Sequence, residues 1–160
     1  LEDQDRSLWN RALINEALAL LDKAIRHRRP GPYQVQAAIS ALHARAATSK
    51  ETDWREIDML YGLLERIQPS PVVTLNRAVA VSKLEGPEKA LELIAPLAEK
   101  LDGYFYFHGV RGGLLRLLAR GAEAREAFNR AIALANSPAE AAHIREHLDQ
   151  LEAEAAQKVS

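Results

Sequence analysis

Residues 84–97 read LEGPEKALELIAPL, and residues 118–131 read LARGAEAREAFNRA. Set 34 positions apart, Leu84, Ala90, Ile94 and Leu97 fall on Leu118, Ala124, Phe128 and Ala131. Ala78 and Gly112 share the offset, so small residues recur as well as bulky ones. Upstream, Ile57, Tyr61 and Leu64 precede Ala90, Ile94 and Leu97 by 33 positions. A fixed period of this length belongs to repeat architectures, in which one unit cannot bury its apolar face and the next unit covers it.

The spacing inside each unit is helical. From Leu8 to Ile25, Leu8, Ala12, Leu13, Ala17, Leu20, Leu21, Ala24 and Ile25 follow the i, i+3, i+4 pattern of one helix face. Glu2, Asp3 and Asp5 stand at its start and Arg26, His27, Arg28 and Arg29 at its end, each where the helix dipole favours that charge. Gly31-Pro32, Ser70-Pro71, Gly86-Pro87 and Ser137-Pro138 each put proline in a first helical turn, where its missing N–H is not needed. Ser137 with Glu140 forms a capping box, and Asp53 followed by Glu56 is a similar start. These signals predict helices at 6–29, 32–47, 53–67, 71–84, 87–101, 104–119, 121–135 and 138–157. Tyr104-Phe105-Tyr106-Phe107 has strand propensity, and the repeat assigns it to a helix instead.

The expected fold is therefore all-α. About eight helices would form a right-handed superhelical stack of helix pairs, a tetratricopeptide-like α-solenoid. An N-terminal helix (1–31) would pack on three pairs (32–137), and 138–160 would cap the stack within one structural domain. The pairs lie near 32–70, 71–103 and 104–137, the first with a longer inner loop from Thr48 to Thr52.

Composition narrows the function. Of 160 residues 48% are apolar and 27% charged, and the net charge is −1. That balance supplies no drive toward nucleic acid or an anionic membrane. There is no cysteine, hence no disulfide or thiolate chemistry. No apolar run approaches the ~20 residues of a membrane span. The opening lacks a secretory leader and reads as the interior of a longer polypeptide, so a cytoplasmic fragment is expected.

The opening Leu1-Glu2-Asp3-Gln4-Asp5-Arg6-Ser7-Leu8-Trp9 resembles the DQDR-x-x-W segment of one group of extracytoplasmic-function RNA polymerase sigma factors, in the sigma-70 family. That group carries a C-terminal extension of tetratricopeptide repeats. Three further stretches are similar to the extension. They are Gly31-Pro32-Tyr33-Gln34 with Gln36-Ala37-Ala38-Ile39 and His43-Ala44-Arg45-Ala46, then Thr52-Asp53-Trp54, and Ser70-Pro71-Val72-Val73 with Leu75-Asn76-Arg77-Ala78-Val79-Ala80-Val81. The resemblance runs the length of the chain in order. Departures cluster at 109–121, where Gly109, Gly112 and Gly113 replace expected alanine or polar residues and Ala119 replaces a turn glycine. The resemblance implies a non-catalytic regulatory domain without cofactor or metal. Its partners would be the sigma domains of the same polypeptide or the polymerase core, with no direct DNA contact and no membrane. The alternative is a free-standing repeat scaffold that binds a peptide or helix.

Candidate contact residues follow from position. Asp3, Gln4, Asp5, Arg6 and Trp9 read either as a helix cap with a core tryptophan or as a docking motif toward the sigma domains. The repeat register puts Val72, Leu75, Val79 and Ser82, then Tyr106, Gly109, Gly113 and Arg116, along a concave groove. That lining lacks the Lys/Asn set that would clamp a peptide carboxylate. An apolar groove needs a cover, and helix 6–29 is the first candidate. Arg77 and Arg111 occupy equivalent places, as solvated or locally paired arginines or as a paired contact for an anion or acidic partner. His143-Ile144-Arg145-Glu146-His147 matches the H-x-x-E-H metal motif. The same helix carries a core stripe of Ile144, Leu148 and Leu151, and no acidic ligand is obvious downstream beyond Glu152 and Glu154 on that helix, so it reads as structural. The basic run Arg26–Arg29 completes a helix end before it suggests nucleic acid.

Overall fold

The computed structural model describes residues 11–27, 31–46 and 49–157. All regular structure among them is helical: α1 (Arg11–Arg26), α2 (Pro32–Arg45), α3 (Trp54–Ile67), α4 (Pro71–Glu85), α5 (Pro87–Ile94), α6 (Ala98–Leu101), α7 (Phe105–Leu117), α8 (Gly121–Leu134) and α9 (Pro138–Gln157). The anticipated helices from residue 32 onward thus lie within a few residues of their expected bounds. Residues 6–10, 28 and 29 of the first, expected at 6–29, fall outside the described residues. The expected helix 87–101 is interrupted by a 3₁₀ turn at Ala95–Leu97. Pro96 has no N–H to donate and its ring crowds the preceding turn, so the chain tightens there instead of continuing as α-helix.

The prolines and caps act locally as the sequence indicates. Pro32, Pro71, Pro87 and Pro138 each open a helix. The Asp53 carboxylate accepts the Glu56 N–H at 3.0 Å. Ser137 Oγ accepts the Glu140 N–H at 3.2 Å, while the Glu140 carboxylate reaches past Ser137 to the Asn136 N–H at 2.7 Å. Before Pro87, Gly86 adopts φ 101° and ψ 164°, a backbone region open essentially to glycine.

The chain divides into two compact units, Leu1–Ala80 and Val81–Ser160. In the first, α2 packs against α1 and α3. Its core is Val35, Ala38, Ile39 and Leu42 of α2 against Ile57, Leu60, Tyr61 and Leu64 of α3, with Ala80 of α4. Both stripes run i, i+3, i+4, i+7, the face a helix must bury. Full burial of each large side chain contributes roughly 1.5–3 kcal/mol. His43 is buried too, its ring edge-on to Trp54 at a centroid distance of 5.3 Å.

In the second unit, α7 packs on α5 and α8, and α9 packs on α8. Ala124, Ala127, Phe128 and Ala131 of α8 repeat the same stripe and join Leu115, Ile144 and Leu151. Ala90 and Ala124, expected small at helix crossings, are both 0% exposed. Gly112 lets α7 and α8 approach: a Cβ there would stand 2.6 Å from the Phe128 ring. The α7–α8 turn is a Schellman motif, with Arg120 N–H donating to the Leu115 carbonyl at 3.0 Å and Ala119 N–H to that of Arg116 at 2.9 Å. Its left-handed residue is Ala119, at φ 57°, where the sequence lacks the expected glycine.

Candidate functional site

Two arginines mark the places where charge meets the helix packing. On α4, Arg77 reaches across to α3: its Nε donates to Asp58 Oδ1 at 2.7 Å and its Nη1 to Glu65 Oε2 at 2.9 Å. The three side chains retain only 22–30% exposure. The hydrogen bond to Asp58, opposed by desolvation and reinforced by Glu65, raises the guanidinium above its ordinary value. The guanidinium is thus paired twice within the chain, in a cluster of one cation and two carboxylates.

Arg111, 34 residues later on α7, is placed differently. It lines an open cavity of about 380 Å³ between α5, α6, α7 and the α7–α8 turn. Leu91, Ile94, Phe107 and Leu115 form its apolar wall. Asp102, His108 and Arg120 also border it, each engaged elsewhere. His108 is buried, and its Nε2 lies 2.7 Å from the Asp102 carbonyl; a carbonyl only accepts, so Nε2 carries the proton. The Asp102 carboxylate accepts from Arg130 at 3.1 Å. Arg120 holds Glu123 through two bonds of 2.8 and 2.7 Å. That hydrogen bonding lowers the Glu123 pKa below the usual carboxylate value, with a lesser contribution from the charge of Arg111. Among the described residues, no carboxylate stands within ion-pair distance of Arg111.

The other expected contact residues are dispersed. Asp3, Gln4, Asp5, Arg6 and Trp9 lie outside the described residues. Leu75 is 0% exposed, so it is core and offers no open groove wall, while Val72, Val79 and Ser82 are half-buried. Tyr106 is half-buried beside Tyr104 and Phe105, with ring centroids at 6.1 and 6.4 Å. α9 covers two of the expected groove positions on α7, Gly109 and Arg116. Ile144 Cδ1 would lie 3.0 Å from a Cβ at Gly109, and Arg116 donates to Gln150 at 2.8 Å and faces Glu154 at 3.7 Å. A Cβ at Gly113 would meet nothing within 4 Å.

On α9 the His143 and His147 rings meet edge-on at 4.9 Å, and His147 stacks on Phe128 at 6.0 Å. Among the described residues no group of three or more His, Cys, Asp or Glu is placed to hold a metal ion. No described helix is long and apolar enough to cross a membrane.

The chain is 69% identical over 156 residues to an uncharacterized protein of Rhizobium meliloti (strain 1021), an alignment that covers 98% of this chain and 37% of that protein. The chain therefore spans little more than a third of the length of the curated relative it matches. No protein-family description matches the chain and no solved structure matches it.

The cavity beside Arg111 was not anticipated from the sequence. A signal for it was present: the residues 33 positions after Asp58 and Glu65 are Leu91 and Ala98, so the acids facing the first arginine have no counterpart facing the second.

Proposed function

We propose that this chain is the regulatory, non-catalytic extension of an extracytoplasmic-function sigma factor, working in the cytoplasm through protein contacts. Its helices would stack as a tetratricopeptide-like solenoid. The 33–34-residue period, the small residues at Ala78, Ala90, Gly112 and Ala124 and the all-helical units support that arrangement. The observation that carries the functional reading is the ordered set of stretches from Asp3-Gln4-Asp5-Arg6 and Trp9 to Leu75–Val81 that resemble the extension of that sigma-factor group. The length of the Rhizobium meliloti relative supports a domain within a longer polypeptide over a free-standing scaffold, since the matching segment is 37% of that protein. The near-neutral charge fits a domain that biases the sigma domains or the polymerase and leaves the promoter to them.

The test is transcription in vitro with core polymerase and the full-length protein carrying this segment. Removing the segment changes promoter-specific output, and Asp5→Ala, Arg6→Ala or Trp9→Ala in the intact protein changes it in the same direction. Equal output and equal regulation from the truncated and intact proteins would overturn the reading.

A further inference from the structure

In the first unit the guanidinium of Arg77 lies between two carboxylates presented by α3, Asp58 and Glu65. An offset of 34 carries Arg77 to Arg111, and the 33-residue offset that carries Ile57, Tyr61 and Leu64 to Ala90, Ile94 and Leu97 carries Asp58 and Glu65 to Leu91 and Ala98. Leu91, Ala98 and Arg111 border one cavity, so the sequence offset corresponds to a real juxtaposition in the second unit. Both acids have been replaced by apolar side chains. The arginine stays, and the space opens to about 380 Å³.

We propose that this cavity is a binding site for a small organic monocarboxylate with a short apolar body, its carboxylate taking on Arg111 the place that Asp58 and Glu65 hold on Arg77. The guanidinium presents a planar fork of N–H donors that matches a carboxylate in two-point geometry. The apolar wall takes the body of the ligand. The volume is at the lower end of small-molecule sites, about 300–1,000 Å³, and so seats one compact molecule. A second carboxylate is disfavoured because Asp102 already borders the cavity. Glu123 does not fill the role, since Arg120 holds both its oxygens.

The test uses the 160-residue chain alone, so its outcome is independent of the transcriptional reading. The probes are hexanoate and 4-phenylbutyrate, with hexanol and 4-phenylbutanol as uncharged counterparts, followed by methyl NMR. Both carboxylates should shift the methyls of Leu91, Ile94 and Leu115 saturably, and the alcohols should bind at least ten-fold more weakly. Arg111→Gln should cost the carboxylates at least ten-fold while the fold, checked by circular dichroism, is kept. Ala98→Glu, at an exposed position, restores the counterpart of Glu65 and should also displace them by ten-fold or more. The proposal fails if neither carboxylate moves these methyls, if the alcohols bind equally well, or if Arg111→Gln or Ala98→Glu binds like the unaltered chain.

Discussion

Arg77 and Arg111 stand 34 residues apart, in Asn76-Arg77-Ala78 and Val110-Arg111-Gly112, and their surroundings are opposite. One is neutralised by Asp58 and Glu65; the other borders a cavity with an apolar wall. The period sets where a residue falls on its helix. The facing helix decides whether its charge is satisfied within the chain. The following residue differs in the same way: Ala78 is buried with its methyl, whereas Gly112 has given its methyl up to the Phe128 ring. Positions one sequence offset apart thus differ in their chemistry, and each difference is open to separate attack.

The largest effect belongs to the Gly112–Phe128 contact. Phe128 is 1% exposed, and Phe128→Ala should cost about 3–5 kcal/mol in denaturant unfolding. Gly112→Ala alone sets a gain in helix propensity of about 1 kcal/mol against an overpacking cost of about 1–3 kcal/mol, so it destabilises. Made in the Phe128→Ala protein, the same substitution should stabilise by about 1 kcal/mol, because only the propensity remains. A Gly112→Ala effect of the same sign in both backgrounds would show that the ring does not enforce the glycine.

The arginines come next. Arg77→Met keeps the apolar stem and strands two half-buried carboxylates. The loss lies between that of an exposed pair and that of a buried one, about 1–2 kcal/mol. Arg111→Met strands nothing and should stay within about 0.5 kcal/mol. Equal losses would mean that Arg111 has an internal partner, and the comparison would collapse.

How much of this could be read in advance depended on whether the signal was local. Pro32, Pro71, Pro87 and Pro138 announce helix starts because the reason lies in one peptide unit, and Asp53 caps through a bond three residues long. The core stripes of α2, α3 and α8 follow from spacing alone. Pro96 was visible within the expected helix 87–101, and the break it makes follows from the same rule that governs the starts. The cover over Gly109 and Arg116 was not legible, because it depends on which helix packs there, and there it is α9. The cavity required comparing the residues opposite the arginines, not the arginines themselves.

The two turns that open α5 and α8 offer a smaller test. Gly86 carries the positive φ before α5, whereas Ala119 carries it before α8. A left-handed alanine costs roughly 1–2 kcal/mol, and glycine returns about 0.5–1 kcal/mol of that through the greater freedom of the unfolded chain. Ala119→Gly should therefore stabilise by about 0.5–1 kcal/mol in thermal unfolding. A loss of stability instead would mean that the Schellman turn is not strained by its alanine.

The smallest expected effect is electrostatic and bears directly on Arg111. The carboxyl of Glu123 has its pKa lowered in the folded chain, first by the hydrogen bond from Arg120 and least by the charge of Arg111. A carboxylate lowered on folding binds fewer protons in the native state than in the unfolded one. Its contribution is therefore present above the ordinary carboxylate range and is lost as pH falls through its folded value. Both side chains are exposed enough that the effect on unfolding should be slight and screened by salt. The site-specific titration is the sharper measurement. Following the Glu123 carboxyl carbon by NMR, Arg120→Gln should return its midpoint most of the way to the ordinary value, and Arg111→Gln should move it in the same direction by less. If Arg111→Gln moved it as far as Arg120→Gln, Glu123 would be the internal partner of Arg111. The guanidinium beside the cavity would then be as fully engaged as Arg77, and the contrast between the two arginines would disappear.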